Sequence, residues 1–146
     1  MPAVRVRFED LAAGDEVPPL SRMVTREDVK RYADASGDHN PLHQNDDVAR
    51  AVGFPGIIAH GMFTMGHLAR CLADWLGDSG ALVRMRAQFR APVFMGETLV
   101  AGGRVRSLDP ETRTAALDVW VTVERAGTTQ YAIRKSEAEV RLTEGG

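Results

Sequence analysis

The chain has 146 residues, 44% hydrophobic and 26% charged, with a formal net charge of −2 and one cysteine, Cys71. That size and composition suit a single globular domain, 1–146, with an apolar core of its own. They give no basic face for nucleic acid, no internal disulfide framework and no multi-cysteine metal site. The opening residues, MPAVRVRFED, are charged and lack the apolar core of a signal segment. The most apolar run, GFPGIIAHGMFTMGHLA, is interrupted by His60, His67 and several glycines, and is too short and too polar to span a membrane. A cytoplasmic protein with neither a nucleic-acid nor a membrane partner is the expectation.

In chain order, a first strand is predicted near Glu16 to Val24. TREDVKRYADASG then reads as a helix. Thr25 is its N-cap, Glu27 and Asp28 sit where the helix dipole favours acids, Val29, Tyr32 and Ala33 share a face, and Gly37 stops it. NDDVARAVG is a second, short helix capped by Asn45 or Asp46 and ended by Gly53. A longer helix follows from about Gly61 to Leu76. With Met62, Phe63, Met65, Leu68, Ala69, Leu72, Trp75 and Leu76 it is apolar nearly all round, which predicts a buried helix.

After Gly77 the period changes to two. LVRMRAQFRAPVF puts Met85, Ala87 and Phe89 on one face and Arg84, Arg86, Gln88 and Arg90 on the other. ETLVAGGRVRSL is a weaker strand holding two glycines. RTAALDVWVTVERAG alternates with Ala115, Leu117, Val119, Val121 and Val123 inward. The last strand, TQYAIRKSEAEVRL, turns Ala132, Ser136, Ala138, Val140 and Leu142 to one side. These strands form a meander in the expected fold. One buried helix and an antiparallel sheet make a two-layer α+β domain, and a sheet wrapped round a long apolar helix is the hotdog architecture.

Between the first two helices lies SGDHNPLHQNDD, Ser36 to Asp47, with two histidines, an asparagine and three aspartates around one proline. Pro41 pushes Asn40 toward extended geometry, so the segment is a shaped loop. A loop this rich in hydrogen-bonding chemistry is either a solvated turn or a functional site.

The stretch YADASGDHNPLHQNDDVARAVGFPGIIAHGMFTMG resembles the signature of the MaoC-like (R)-specific hydratase/dehydratase family. The matching residues are Asp38, Asn40, Pro41 and His43 in the loop and AHGM at Ala59 to Met62. FEDLAAGDEVP and the turn at Val105 to Glu111 resemble the same family, so the likeness covers nearly the whole chain. It runs nearest to the single-hotdog catalytic subunit of heterodimeric (3R)-hydroxyacyl-ACP dehydratases of long-chain, mycolic-acid type synthesis. Many relatives carry Asp where this chain has Asn45; both cap a helix, so only the local charge differs.

The resemblance implies a dimer of hotdogs that adds water reversibly to trans-2-enoyl thioesters of CoA or ACP. The partner would be an identical subunit or a second, related hotdog subunit. Asp38 and His43 take the family's catalytic positions and Gly61 its oxyanion-hole position, with Asn40 and His60 as further residues of the substrate site. The residue types suit the chemistry. Dehydration removes a proton from carbon 2 and protonates the hydroxyl leaving carbon 3, and a carboxylate and an imidazole can divide these roles. Sequence does not assign which takes the carbon-bound proton. The unpaired N–H groups at a helix start can receive the charge that develops on the thioester oxygen. Asn40 braces the loop through its amide, and His60 shapes the start of the helix. Nothing here requires a cofactor or a metal.

Other residues read more plainly. His39 is a bystander, and Pro41 opposes a helical His39/His43 metal pair. His67 and Cys71 share a helix face as core or tunnel lining. Arg84, Arg86 and Arg90 form a solvated row that could also meet carrier phosphates. The competing functions are a hotdog acyl-thioesterase and a non-catalytic acyl-binding partner subunit; the loop spacing and the Asp/His pair argue against both.

Overall fold

The computed structural model describes residues 6–77 and 81–142. Residues 1–5, whose charges argue against a signal segment, lie outside that range. The chain forms β1 (Glu16–Met23), α1 (Arg26–Ser36), α2 (Asp46–Ala51), α3 (Gly61–Leu76), β2 (Leu82–Arg86), β3 (Thr98–Asp109), β4 (Thr114–Arg125) and β5 (Thr128–Arg141). The strands make one antiparallel sheet in the order β1-β3-β4-β5-β2. The hotdog expectation holds: α3 packs against all five strands. The meander is only partial, because β3, β4 and β5 run consecutively while β2 lies beyond β5 at one edge.

The helices begin and end where the sequence placed them. The Thr25 hydroxyl accepts from the Asp28 N–H and the Asp28 carboxylate accepts from the Thr25 N–H, a reciprocal capping box. Gly37 closes α1 in the left-handed region at φ 77°. Asn45 caps α2 by accepting from the N–H groups of Asp47 and Val48. One expectation for α3 is corrected. It is buried along a single stripe, Thr64, His67, Leu68, Cys71, Leu72 and Leu76, while Met62 is 57% exposed and Arg70 and Asp74 pair on the outer side. Met62, Phe63, Met65 and Trp75 sit outside the stripe because the sheet covers only one side of the helix.

Two features of the sheet escaped the periodicity. Pro18 and Pro19 lie inside β1, and its pairing with β3 slips between Val17 and Leu20. Proline has no N–H for the ladder, so it belongs at edges and bulges. The carbonyls released there turn to α3: the His67 ring donates to Leu20 O at 2.8 Å, and the Cys71 thiol reaches Pro18 O at 3.4 Å. Burial accordingly pushes the His67 imidazole down and the Cys71 thiol up. The second feature is β3, which proves to be an internal strand of 12 residues rather than a weak one. Its glycines make room within the chain. A Cβ on Gly102 would lie 2.8 Å from the Trp120 indole nitrogen, and one on Gly103 would lie 3.1 Å from Asp118 O. The small-residue run at Val100 to Val105 therefore serves packing inside the protomer.

Candidate active site

The Ser36–Asp47 loop is built by side chains that hold its own backbone. The side-chain oxygens of Ser36, Asp38 and Asn40 accept, in turn, from the N–H groups of Asp38 (3.2 Å), Asn40 (3.2 Å) and Leu42 (3.0 Å). Such local bonds replace the ladder that a helix or strand would supply. Asn40 is extended (φ −55°, ψ 128°) before Pro41, as proline requires, and caps a single 3-10 turn, Pro41–His43. That short turn was not foreseen; proline suits its first position because no N–H is needed there.

The turn aims His43 at the segment leading into α3. Its Nδ1 lies 2.7 Å from Ile58 O, and the Ile58 N–H returns a bond to Leu42 O at 3.1 Å. A carbonyl only accepts, so Nδ1 donates, and in the neutral ring that leaves Nε2 with the lone pair. His60, 1% exposed, donates from Nε2 to the Asp38 backbone carbonyl at 3.1 Å, which leaves its buried Nδ1 without a partner. The two rings stack at 3.9 Å and 23°, and Tyr32 of α1 closes on His60 from another side at 4.8 Å. His60 thus ties the loop to the first turn of α3. It gives α3 no side-chain cap, so the opening N–H groups of the helix are left for another acceptor.

The structure brings Asp38, His43 and His60 together: one side-chain ligand atom from each lies within 4.8 Å of the others. Among the described residues, these three form the group that could hold a metal. The stacking opposes it, because a histidine binds an ion along its ring plane and two nearly parallel rings aim past a common point. Gly61 opens α3 beside this cluster. A cavity of 260 Å³ is lined by His43, Ala59, Gly61, Thr64, Phe89 and Val93, among others. Asp38 is exposed and stands outside that lining. His39 is exposed and accepts from the Gln44 amide at 3.0 Å.

Two supports were missed at the sequence level. Asp46 accepts from the Ile57 N–H at 2.9 Å and pairs with Arg26 at 3.0 Å, fixing the segment that carries Ile58. The Arg26 hydrogen bond, then that of Ile57, holds its carboxyl below the usual range. The other is Glu97, which takes Arg125 in a fork at 2.7 and 2.8 Å. Arg125 also donates to Pro92 O at 2.9 Å and covers the Phe94 ring at 4.1 Å. This clamp holds the cavity wall, since Ala59 N–H bonds Val93 O at 2.9 Å. An acid inside the strand-like run FMGETL, with its arginine 28 residues on, leaves no local signal.

Burial pushes the Glu97 carboxyl up, but the hydrogen bonds from Arg125 and the Phe94 N–H outweigh it and hold it below the usual glutamate range. A carboxyl lowered by folding stabilises the native state above its unfolded pKa, and that contribution fades as pH falls through the lower native value. Glu97→Gln is expected to cost about 1–2 kcal/mol at neutral pH. In urea unfolding followed against pH, the gap between wild type and variant should hold at neutral pH and narrow as pH falls through the ordinary glutamate range toward the lower native value. A gap that persists at low pH would show that the pair contributes by packing alone.

Comparison with known proteins agrees with this architecture. Residues 10–127 match the family model described as MaoC like domain. Over 117 residues the chain is 34% identical to the (R)-specific enoyl-CoA hydratase of Rhodospirillum rubrum, spanning 80% of this chain and 81% of that one. It is 36% identical over 120 residues to the 3-hydroxybutyryl-CoA dehydratase of Methylorubrum extorquens, spanning 80% and 75%. The solved (R)-hydratase from A. caviae involved in PHA biosynthesis superposes with a TM-score of 0.82 at 26% identity, over 92% of this chain and 99% of that one.

Proposed function

The chain belongs to the MaoC-like domain family, and from that membership we propose that it is a hydro-lyase acting on acyl thioesters. It adds water to trans-2-enoyl thioesters, giving (R)-3-hydroxyacyl thioesters, and runs the reverse dehydration. The carrier is CoA or acyl carrier protein, and the whole chain acts as one hotdog domain in the cytoplasm. The observation that supports the reading most is the approach of the Asp38 carboxylate to His43, with His43 and Gly61 lining one cavity.

In hydration the hydroxyl of water bonds to carbon 3 and a proton goes to carbon 2; dehydration removes both. The bare Nε2 of His43 and the carboxylate of Asp38 are the two proton-handling groups, a half-buried imidazole beside a solvated acid. Negative charge gathers on the thioester oxygen while carbon 2 is an anion. The N–H groups at the start of α3 meet it, and Gly61 adds no side chain of its own there. Asn40 and His60 hold the loop and helix start in register. Hydrolysis is the second possibility, and product analysis separates the two: a hydratase consumes crotonyl-CoA without releasing free thiol.

Asp38→Asn and His43→Ala should each lower turnover of crotonyl-CoA by about 100-fold or more, with thermal unfolding little changed. The double variant should fall far short of the product of the two, since the groups act on one event. Near-normal turnover in either single variant would remove that residue from the pair. Exhaustive chelation should leave turnover intact; loss restored by zinc would assign the Asp38, His43 and His60 cluster to a metal.

Assembly follows from the open surfaces. β2 is a five-residue edge strand with Val83 57% exposed, and α3 offers Met62 on its uncovered side. An unpaired strand edge is a liability that a partner strand relieves. The protein is therefore proposed to work as a dimer of hotdogs, with an identical or a related subunit. Light scattering at working concentration should give twice the protomer mass, or a co-purifying second subunit. A fully active monomer at nanomolar concentration would sink the idea.

A further inference from the structure

Phe89 keeps the face it shares with Met85 and Ala87, yet it is 50% exposed. Its bridge partner Ile133 is buried and its ring meets Gly61 of α3, so it stands on the helix side of the sheet. The register slips on the other strand: from the pair Arg86–Glu137 to the pair Phe89–Ile133, the chain leaving β2 advances three residues and β5 advances four. The extra residue is accommodated where Lys135 adopts a positive φ of 51°. The segment is then held by its backbone, with Gln88 N–H on Ser136 Oγ at 2.8 Å and Arg90 N–H on Ala132 O at 2.9 Å.

On that side the Phe89 ring stands over Gly61. A Cβ at position 61 would lie 3.3, 3.4 and 3.5 Å from three of its ring carbons. In a helix the Cα–Cβ direction tilts toward the N-terminus. The ring therefore stands on the side of Gly61 from which an acceptor approaches the first N–H groups, inside the cavity that His43 also lines. A large aromatic side chain left half in water contributes little to the core, so its position calls for another account.

We infer that Phe89 is a specificity-determining residue, a wall that restricts the site to enoyl thioesters unbranched at carbon 2. The inference rests on the hydratase reading with Gly61 at the oxyanion. A thioester oxygen at the helix start puts carbon 2 two bonds away, against the ring that contacts Gly61. A hydrogen on carbon 2 fits such a wall; a methyl group requires the ring to move. Discrimination by one methyl group in an apolar pocket is about 10–200-fold.

The test compares crotonyl-CoA with 2-methylcrotonyl-CoA on wild type, Phe89→Leu and Phe89→Ala, each checked for folding by circular dichroism. Wild type should prefer the unbranched thioester in kcat/KM by about 10–200-fold. Phe89→Ala should narrow that ratio at least about tenfold, with Phe89→Leu between, on the same scale. The leucine variant keeps the test valid if the alanine variant does not fold. Equal use of both thioesters by wild type, or a ratio unmoved in the folded variants, overturns the role of Phe89 while leaving the hydratase reading in place. Turnover of neither thioester by wild type removes that reading and the inference with it.

Discussion

The hydrogen bond from His43 Nδ1 to the Ile58 carbonyl, 2.7 Å long, is the constraint on which the rest of the site depends. It joins two segments 15 residues apart and at the same stroke decides the tautomer of the imidazole. Each neighbouring bond keeps that carbonyl where it is. Ile58 N–H answers to Leu42, Ile58 bridges to Phe94, and Ala59 N–H bonds Val93. Behind these stand Asp46 on Ile57 and the Glu97–Arg125 fork on the opposite wall. A charge-assisted bond in a partly buried setting is among the stronger single contacts a fold can use. Here such contacts hold backbone, and the backbone holds the ring.

The same arrangement grades the site from wet to dry. Asp38 is exposed, His43 half-buried and His60 enclosed, with the stack of the two imidazoles crossing the gradient. Asp38 can exchange protons with solvent while His43 looks into the cavity. His60 keeps one nitrogen on the Asp38 backbone and leaves the other unpaired. A buried polar atom without a partner costs stability, and in native proteins such atoms gather where geometry serves function.

Much of this was written in local patterns. Caps at Thr25, Asn45 and Gly37 are short-range signals, and so are the period-two runs of β4 and the linked turns of the Asp38 loop; all three classes emerged as expected. What stayed hidden depends on contacts distant in sequence. The alternation of LVRMRAQF put Phe89 on the helix side but says nothing of a bulge in β5 some 50 residues later, nor of how little of the ring the sheet covers there. The apolar breadth of α3 suggested complete burial, because periodicity cannot tell a residue covered by its own sheet from one exposed at the surface, as Met62 is. Strand order was equally invisible, since β2 joins the sheet beside a strand formed more than 40 residues further on. The glycines of β3 weakened its signal, although their purpose, room for Trp120 and for the β4 backbone, makes it the inner strand it is.

The two edges of the sheet are chemically unlike. β1 carries Pro18 and Pro19 and a slipped register, so its outer side cannot offer a continuous row of donors to an incoming strand. β2 has no such guard. Any growth by strand addition must therefore use the β2 edge, and two copies meeting there would each spend their single open end. Such a contact would be isologous and would close on itself, as a twofold axis requires. A molecule with two receptive edges could add copies without limit and run into fibres. In strand addition the pair of prolines would thus limit assembly to two copies, a stoichiometric stop placed at the opposite end of the sheet from the open edge.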